Sequence, residues 1–455
     1  MTVGGGACRS RASIIGSTDS GENMSTNHPS EAPGRAFTRR SLLQGAAAGA
    51  AGLLLAGGVG QPAFAAATRP YIPASLTYAP TDPLAGFFQK VAAGTASIVF
   101  NGDSITEAYG AANPQEGYPA LLLDRLRRSK QQPLGGLGYV PARYQFSGAV
   151  PKPVTATYLT YYGKNNNVID IQASTYNGKR STQEGLGRRS VLLEPTVITS
   201  MSFTQKFTSI RIAYRAQSAG TTFSVQIGSG APKPVAHASV AEGTFTMDPI
   251  ASAQRTVTVT AVTGGVFIEG FDIYDGDEKA GFQAIESSQS GSMTWQFSAA
   301  SGAPVGLGTG TGSSGWANSL VRYEPDLIAS MWGTNDYANQ VPPADVTTHT
   351  INYLTLMHAK KPAATKLIIM PYEFGAKRTL PWSDYVKAQT DAVAAFLEAN
   401  PNAKVGFFDL GKYIPKYFGA TSATTEFMSD GIHPNSHGYD VIAAILYVYF
   451  TSKPA

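Results

Sequence analysis

Five short apolar runs recur along the sequence, and they alternate with stretches in which apolar residues have helical spacing. The spacing predicts helices over about 118–130, 383–399 and 436–450. Alternation of strands and helices is typical of a parallel sheet whose two faces are covered by helices, so we expect a three-layer α/β/α domain. The apolar runs, interpreted as the strands of this sheet, cover residues 97–100, 282–287, 327–332, 367–370 and 405–409.

The pattern changes between residues 138 and 280. Short segments of alternating apolar and polar residues replace the helical spacing, for example at 208–214 and 222–227, and glycine-rich turns separate them. Several short strands at this spacing are typical of an antiparallel β-sandwich. Because the run at 97–100 belongs with the later runs, we expect a jelly-roll-like sandwich inserted into a single α/β domain.

The first segment of the chain is typical of an export signal. Arg39 and Arg40 directly precede an apolar run rich in Ala and Gly, and an Ala-Phe-Ala pattern ends at Ala65. These features predict a twin-arginine signal cleaved near Ala65, and hence a secreted, extracellular protein. The alternative is a membrane anchor, but the run is short and broken by glycine compared with the ~20 apolar residues of a span. Met24 is an alternative start to Met1.

These boundaries divide the chain into four segments. They are a signal region (1–65), the first part of the α/β domain (66–137), the inserted sandwich (138–280) and the second part of the α/β domain (281–455).

Composition and charge exclude several classes of protein. With 43% hydrophobic and 15% charged residues, the chain is neither disordered nor a coiled coil. Lys and Arg exceed Asp and Glu by 35 − 31 = 4, so we expect no nucleic-acid partner. Cys8 is the only cysteine, which excludes a disulfide framework and a zinc site built from cysteines.

Three polar segments stand where strands end or where the last helix begins. Gly102-Asp103-Ser104 follows the run ending at residue 100, and Gly333-Thr334-Asn335-Asp336 follows the run ending at residue 332. Asp430-Gly431-Ile432-His433 comes just before the final helix. In a parallel sheet such loops gather along the carboxyl edge, where ligands bind.

In these three segments, in this order, the sequence resembles the GDSL, or SGNH, hydrolase family. The resemblance covers about 85–132 and 281–449, and it does not cover the insertion. It implies an SGNH-type fold in which Ser104 is the nucleophile, while Asp430 and His433 complete a catalytic triad. It also implies an oxyanion hole to which Asn335 and the backbone N–H of a glycine contribute.

Elementary chemistry agrees with these roles but leaves some alternatives open. A serine hydroxyl needs a base to take its proton, and we favour His433 over His437, which we expect to be a partly buried packing or capping group. For the glycine, we favour Gly291, which follows a predicted strand, over Gly281, which precedes it. The Ser104 N–H is a further oxyanion donor.

Asp103 is a further carboxylate beside the expected nucleophile, and it invites an acid–base role. We expect instead that it bonds loop amides and holds the turn. We therefore leave it out of the triad.

Together these groups predict acyl transfer from an ester to water, with no metal and no organic cofactor. Export and an inserted sandwich favour short-chain O-acyl groups, such as acetyl, on carbohydrate as the substrate. The alternatives are a lipase or acyltransferase acting on lipid esters, and an inactive carbohydrate-binding or adhesion protein. We expect no stable membrane insertion, and the oligomeric state remains open.

Overall fold

A computed structural model describes the chain from residue 70 onward, with gaps. The predicted signal region 1–65, with its cleavage site at Ala65 and the alternative start at Met24, lies outside the described residues. No helix in the part of the chain that the structure describes is long and apolar enough to cross a membrane. The described residues are 70–111, 116–130, 135–136, 138–142, 156–162, 165–173, 185–196, 199–298, 316–375, 378–416 and 426–455.

The helices and strands are numbered in chain order. The helices are α1 (Ala85–Ala93), α2 (Tyr118–Lys130), α3 (Thr294–Ser298), α4 (Trp316–Leu320), α5 (Thr334–Ala338), α6 (Pro343–Lys360), α7 (Trp382–Ala399) and α8 (Ser436–Phe450). The strands are β1 (Thr77–Tyr78), β2 (Ala96–Gly102), β3 (Gly138–Pro141), β4 (Ala156–Tyr162), β5 (Asn165–Ala173), β6 (Val191–Leu193), β7 (Ser200–Phe207), β8 (Ser209–Ala216), β9 (Thr222–Ile227), β10 (Lys233–Ala236), β11 (Ala241–Thr246), β12 (Ala253–Thr263), β13 (Val266–Tyr274), β14 (Phe282–Glu286), β15 (Leu327–Met331), β16 (Thr365–Met370), β17 (Val405–Asp409) and β18 (Lys453–Pro454).

The predicted α/β fold with a parallel sheet is confirmed. Strands β3, β14, β2, β15, β16 and β17 lie side by side in this order, and every neighbouring pair is parallel. Strand β2 precedes the insertion and β14 follows it, yet the two pair directly. The chain therefore leaves the parallel sheet after β2 and returns beside the same strand.

Alternate residues of the central strands belong to different hydrophobic clusters, as the two-residue repeat of a strand requires. On β2, Ile98 and Phe100 pack with side chains of α1, α2 and α8. Between them, Val99 packs with side chains of α3, α4, α6 and α7. Helices therefore cover both faces of the sheet, which is the expected three-layer arrangement.

An inserted antiparallel sheet is also present. It has six strands in the order β10-β9-β12-β7-β5-β4, and every neighbouring pair is antiparallel. A single hydrophobic cluster includes Phe203 and Val257 from this sheet and Ile212 and Phe271 from β8 and β13. A separate sandwich domain with the boundaries 138–280 stays a prediction.

The insertion differs from a free-standing unit in one respect. Strands β11, β8 and β13 pair in antiparallel fashion with one another, and β13 pairs with β3. Since β3 in turn pairs with β14 of the parallel sheet, these strands continue the central sheet. The insertion is thus joined to the α/β core through backbone hydrogen bonds.

Candidate active site

Three strands of the parallel sheet end at the same level. Gly102 at the end of β2 is in register with Met331 at the end of β15, and Phe100 of β2 is in register with Glu286 at the end of β14. The segments that leave these strands therefore begin side by side. They carry Ser104, Asn335 and Gly291.

The turn after β2 fixes the position of Ser104. A Cβ atom on Gly102 would lie 2.6 Å from the carbonyl oxygen of Met331, so only glycine lets β2 and β15 approach so closely here. The Asp103 carboxylate then accepts a hydrogen bond from the Ile105 N–H at 2.9 Å, which closes the turn around Ser104. Ser104 thus lies at the carboxyl end of β2 and is buried, with 4% of the residue exposed.

Ser104, His433 and Asp430 form a continuous series of hydrogen bonds. The Ser104 Oγ lies 3.0 Å from the His433 Nε2, and the His433 Nδ1 lies 2.8 Å from the Asp430 Oδ2. A hydroxyl bonded to an imidazole that is itself held by a carboxylate is the arrangement that activates serine as a nucleophile.

The loop before α8 holds the imidazole from several sides. The Asp430 Oδ1 accepts the N–H groups of Ile432 and His433, both at 2.7 Å, while Ser429 donates its N–H to the His433 carbonyl at 2.9 Å. Burial alone would raise the pKa of Asp430, but the hydrogen bonds from His433 and Ile432 outweigh it and lower the pKa to about 2. The carboxylate is thus ionised at neutral pH.

Three candidate N–H donors lie on the segments that follow β2, β14 and β15. The Asn335 Nδ2 donates to the Ser292 carbonyl at 2.9 Å and makes a longer contact of 3.4 Å with the Asp103 Oδ2. Within the described residues, the backbone N–H groups of Ser104 and Gly291 make no hydrogen bond. Unpaired donors of this kind can stabilise a developing oxyanion.

The geometry at the two candidate glycines differs. Gly291 has a φ of 80° and lies in a turn at the carboxyl end of β14, a conformation that favours glycine. Gly281 precedes β14, and its carbonyl accepts the N–H of Ala96 at the start of β2. Gly281 therefore lies at the amino ends of the strands, whereas Ser104 lies at their carboxyl ends.

Asp103 and Asp336 are two buried carboxyl groups close to Asn335. Burial raises the pKa of Asp103 to about 7, although the Ile105 N–H opposes the shift, and the nearby Asp336 raises it further. Burial also raises the pKa of Asp336 to about 6, although Thr294 donates to this carboxyl. In agreement with expectation, Asp103 bonds a loop amide, and it makes no hydrogen bond to His433 in the described structure.

His437 does not take part in this hydrogen-bonded series. Its side chain is 53% exposed, rather than partly buried as expected, and its ring packs against Phe427 with the ring centroids 4.7 Å apart. The cap of α8 is instead Asn435, whose side chain accepts the Gly438 N–H at 3.0 Å.

Some neighbours of the site were not singled out from the sequence. The Tyr109 ring packs on the His433 ring with the centroids 4.2 Å apart, and Ala108 before it has a φ of 69°, which is unusual for a residue other than glycine. Glu107 is buried below Ser104 and bonds the Ser290 N–H. The only signal for Tyr109 and Glu107 was that they closely follow Ser104.

A cavity of about 840 Å³ lies near the loop that carries His433, but none of Ser104, Asn335, Asp430 and His433 lines it. The aromatic side chains of Tyr337 and Trp382 and the basic side chain of Arg378 line it. Gly375 also lines it and donates its N–H to the carbonyl of Gly431, in the His433 loop, at 3.5 Å. Among the described residues, no group of three or more His, Cys, Asp or Glu side chains is placed to hold a metal ion.

Comparison with known families agrees with this geometry. Residues 276–441 match the model of the GDSL-like lipase/acylhydrolase family. The chain carries a GDSL hydrolase domain. A domain of this family hydrolyses carboxylic esters, so the protein is a carboxylic ester hydrolase. The match contains Gly291, Asn335, Asp430 and His433, whereas Ser104 lies before the insertion and outside the matched range.

One of three similar solved structures shares the fold of this chain. A peptidoglycan O-acetylesterase is 16% identical with a TM-score of 0.53, and the alignment covers 82% of this chain and 96% of that one. A family two carbohydrate esterase from Cellvibrio japonicus is 12% identical over 62% of this chain and 96% of that one, with a TM-score of 0.28. An acetyl xylan esterase from Butyrivibrio proteoclasticus is 12% identical over 61% and 94%, with a TM-score of 0.28. No curated protein matches the sequence.

Proposed function

We propose that the protein is an exported serine esterase that removes short acyl groups, above all acetyl, from carbohydrate. The observation that carries the proposal is the series of hydrogen bonds from Ser104 through His433 to Asp430, at 3.0 and 2.8 Å. The export part rests on the twin-arginine pattern at Arg39 and Arg40.

The reaction begins with acylation of Ser104. As the Ser104 Oγ attacks the ester carbonyl carbon, its proton passes to the His433 Nε2, and the ionised Asp430 stabilises the imidazolium that forms. The carbonyl oxygen becomes an oxyanion, for which Ser104, Gly291 and Asn335 provide N–H donors. The longer bond of Asn335, at 3.4 Å to Asp103, is the one that the oxyanion replaces.

Collapse of this intermediate breaks the ester bond. The leaving alcohol takes the proton from the His433 Nε2, and an acyl group remains on the Ser104 Oγ. His433 then accepts a proton from water, whose oxygen attacks the acyl carbon. A second collapse returns the proton to Ser104 and releases the carboxylic acid, so that no further reactant is required.

The carbohydrate part of the proposal rests on the surroundings of the site. The cavity near the His433 loop has the size of a small-molecule site, and the charged side chains of Glu373, Arg378 and Lys412 on its walls suit a polar substrate better than a lipid tail. A structure with the same fold is, by its name, a peptidoglycan O-acetylesterase. Both observations favour an acylated glycan over a lipid.

The experiment that tests the proposal compares esters that differ in acyl and alcohol. The full chain is assayed with nitrophenyl acetate and nitrophenyl octanoate, and acetate release is followed from acetylated xylan and from O-acetylated peptidoglycan. We expect turnover of the acetate ester and of at least one glycan, and loss of both in Ser104→Ala. A preference for octanoate with no release from either glycan would favour the lipase alternative.

A further inference from the structure

One buried carboxylate connects the two loops that carry the backbone donors of the site. The Glu107 side chain, 1% exposed, belongs to the segment that begins at Ser104. Its Oε2 accepts the N–H of Ser290 at 2.7 Å. Glu107 thus fixes the distance between the segment of Ser104 and the segment of Gly291.

The Gly291 turn is open on one side, so hydrogen bonds to neighbouring turns hold it in position. A Cβ atom added at Gly291 would meet no atom within 4 Å, so the turn is exposed on that side. Backbone bonds hold its start, where the Gln289 N–H donates to the Gly102 carbonyl at 2.9 Å. At the next residue, Ser290, the acceptor is the Glu107 carboxylate, and hydrogen bonds to ionised acceptors are the stronger kind.

The inserted segment supplies the cation for this carboxylate. The Arg189 side chain is fully buried, with its Nη1 3.6 Å from the Glu107 Oε1 and its Nη2 2.7 Å from the Glu286 Oε2. Glu286 in turn accepts the Ser288 N–H at 3.2 Å and the Ser288 hydroxyl at 2.6 Å. The Arg189 guanidinium therefore faces both Glu107 and Glu286. These two carboxylates bind Ser290 and Ser288, which belong to the same loop.

The backbone of the insertion approaches this loop closely. A Cβ atom on Gly187 would lie 2.4 Å from the Ser288 carbonyl oxygen, and its φ of 64° also favours glycine. Arg189 thus reaches the carboxylates from a turn that is packed against the end of β14. A buried carboxylate is costly unless it is paired, so both carboxylates depend on this arginine.

We propose that Glu107 and Arg189 are positioning residues of the oxyanion hole, and that the insertion contributes to catalysis through Arg189. The inference rests on the proposed function, since it assumes that the Gly291 N–H binds the oxyanion. Glu107 holds the Ser290–Gly291 turn against the Ser104 turn, and Arg189 holds the Glu107 carboxylate in place. Loss of either side chain displaces the Gly291 N–H without touching Ser104, His433 or Asp430.

The test uses a pair of substrates that differ in one atom, an aryl acetate and its thionoacetate, in which sulfur replaces the carbonyl oxygen. Sulfur is a poor acceptor for N–H donors, so an intact oxyanion hole favours the oxygen ester. We compare kcat/KM for both esters in the full-length wild type and in Glu107→Gln, Glu107→Ala and Arg189→Met. A fall in the amount of correctly folded enzyme lowers both rates equally and leaves the oxygen-to-sulfur ratio unchanged.

We expect the oxygen-to-sulfur ratio to fall by about tenfold in Glu107→Ala and Arg189→Met. This is less than the 10²–10³ expected for removal of an oxyanion donor. In Glu107→Gln, the ratio should fall by less than tenfold. The matched control is Glu269→Gln, which changes a buried glutamate of the insertion that pairs with Arg322 at 2.6 Å. Its ratio should equal that of the wild type.

An unchanged ratio in all three variants would overturn the proposal, even if the rates fall. Glu107→Gln keeps the volume of the side chain. If the other two variants do not fold, the oxygen-to-sulfur ratio of Glu107→Gln alone tests the proposal. Failure of the proposed function would look different, since the wild type itself would then hydrolyse neither ester.

Discussion

The Ser104 Oγ and the His433 Nε2 lie 3.0 Å apart, although 329 positions separate the two residues in the sequence. The interval contains the whole insertion and the strands from β14 to β17. The two side chains meet because β2 lies inside the parallel sheet and the loop before α8 returns to its carboxyl edge. The contact is therefore a product of the whole fold rather than of a local motif.

The Asp430 carboxylate should be needed for rate rather than for folding. In Asp430→Asn, the amide oxygen can still accept the N–H groups of Ile432 and His433, but the negative charge that stabilises the imidazolium is lost. We expect kcat for nitrophenyl acetate to fall by roughly 10³–10⁴, as when such a carboxylate is replaced in other serine hydrolases. A loss of less than tenfold, with kcat measured at saturating ester, would contradict this role.

The Asn335 side chain is expected to stabilise the transition state. Asn335→Ala should lower kcat by about 10²–10³ with little change in KM, because the amide donates to the oxyanion and not to the bound ester. The matched control is Asn339→Ala, which removes an exposed amide that donates to the Asn335 carbonyl. Equal kcat values for the two variants would exclude Asn335 from the oxyanion hole.

The two histidines near the start of α8 should differ sharply in their effect. His433→Ala removes the partner of Ser104 and should reduce kcat to near the detection limit, whereas His437→Ala removes a ring that packs on Phe427 at the surface. We expect kcat in His437→Ala to stay within about twofold of the wild type, in keeping with other exposed surface substitutions. If His437→Ala proves as damaging as His433→Ala, the base has been assigned wrongly.

Much of this arrangement could be predicted from the sequence, because Gly102-Asp103-Ser104 and Gly333-Thr334-Asn335-Asp336 follow apolar runs that mark strand ends. Helix α6 was missed although its buried residues, among them Val346, Thr350 and Tyr353, have helical spacing, since a buried threonine conceals the apolar face. The role of Arg189 could not be predicted from the sequence. Its contact with Glu107 depends on how the insertion packs against the α/β domain, which no local spacing of residues encodes.

The pH dependence of stability offers a test of the buried carboxyl groups. Burial raises the pKa of Asp336 to about 6, above its ordinary value of 3.8. Its contribution to stability is therefore full below about pH 4 and is lost as the pH rises through about 6. We expect Tm of the wild type to fall between about pH 4 and pH 7, and the fall to be smaller in Asp336→Asn. Parallel curves for the two proteins would show that Asp336 titrates normally.

The nucleophile itself can be identified by covalent labelling. The full chain is treated with a fluorophosphonate ester, residual esterase activity is followed, and the modified peptide is located by mass spectrometry. We predict a single adduct on Ser104 that forms in step with the loss of activity, and no adduct in Ser104→Ala. An adduct on another serine, such as Ser292, or full activity after Ser104 has been labelled, would contradict the assignment of Ser104 as the nucleophile.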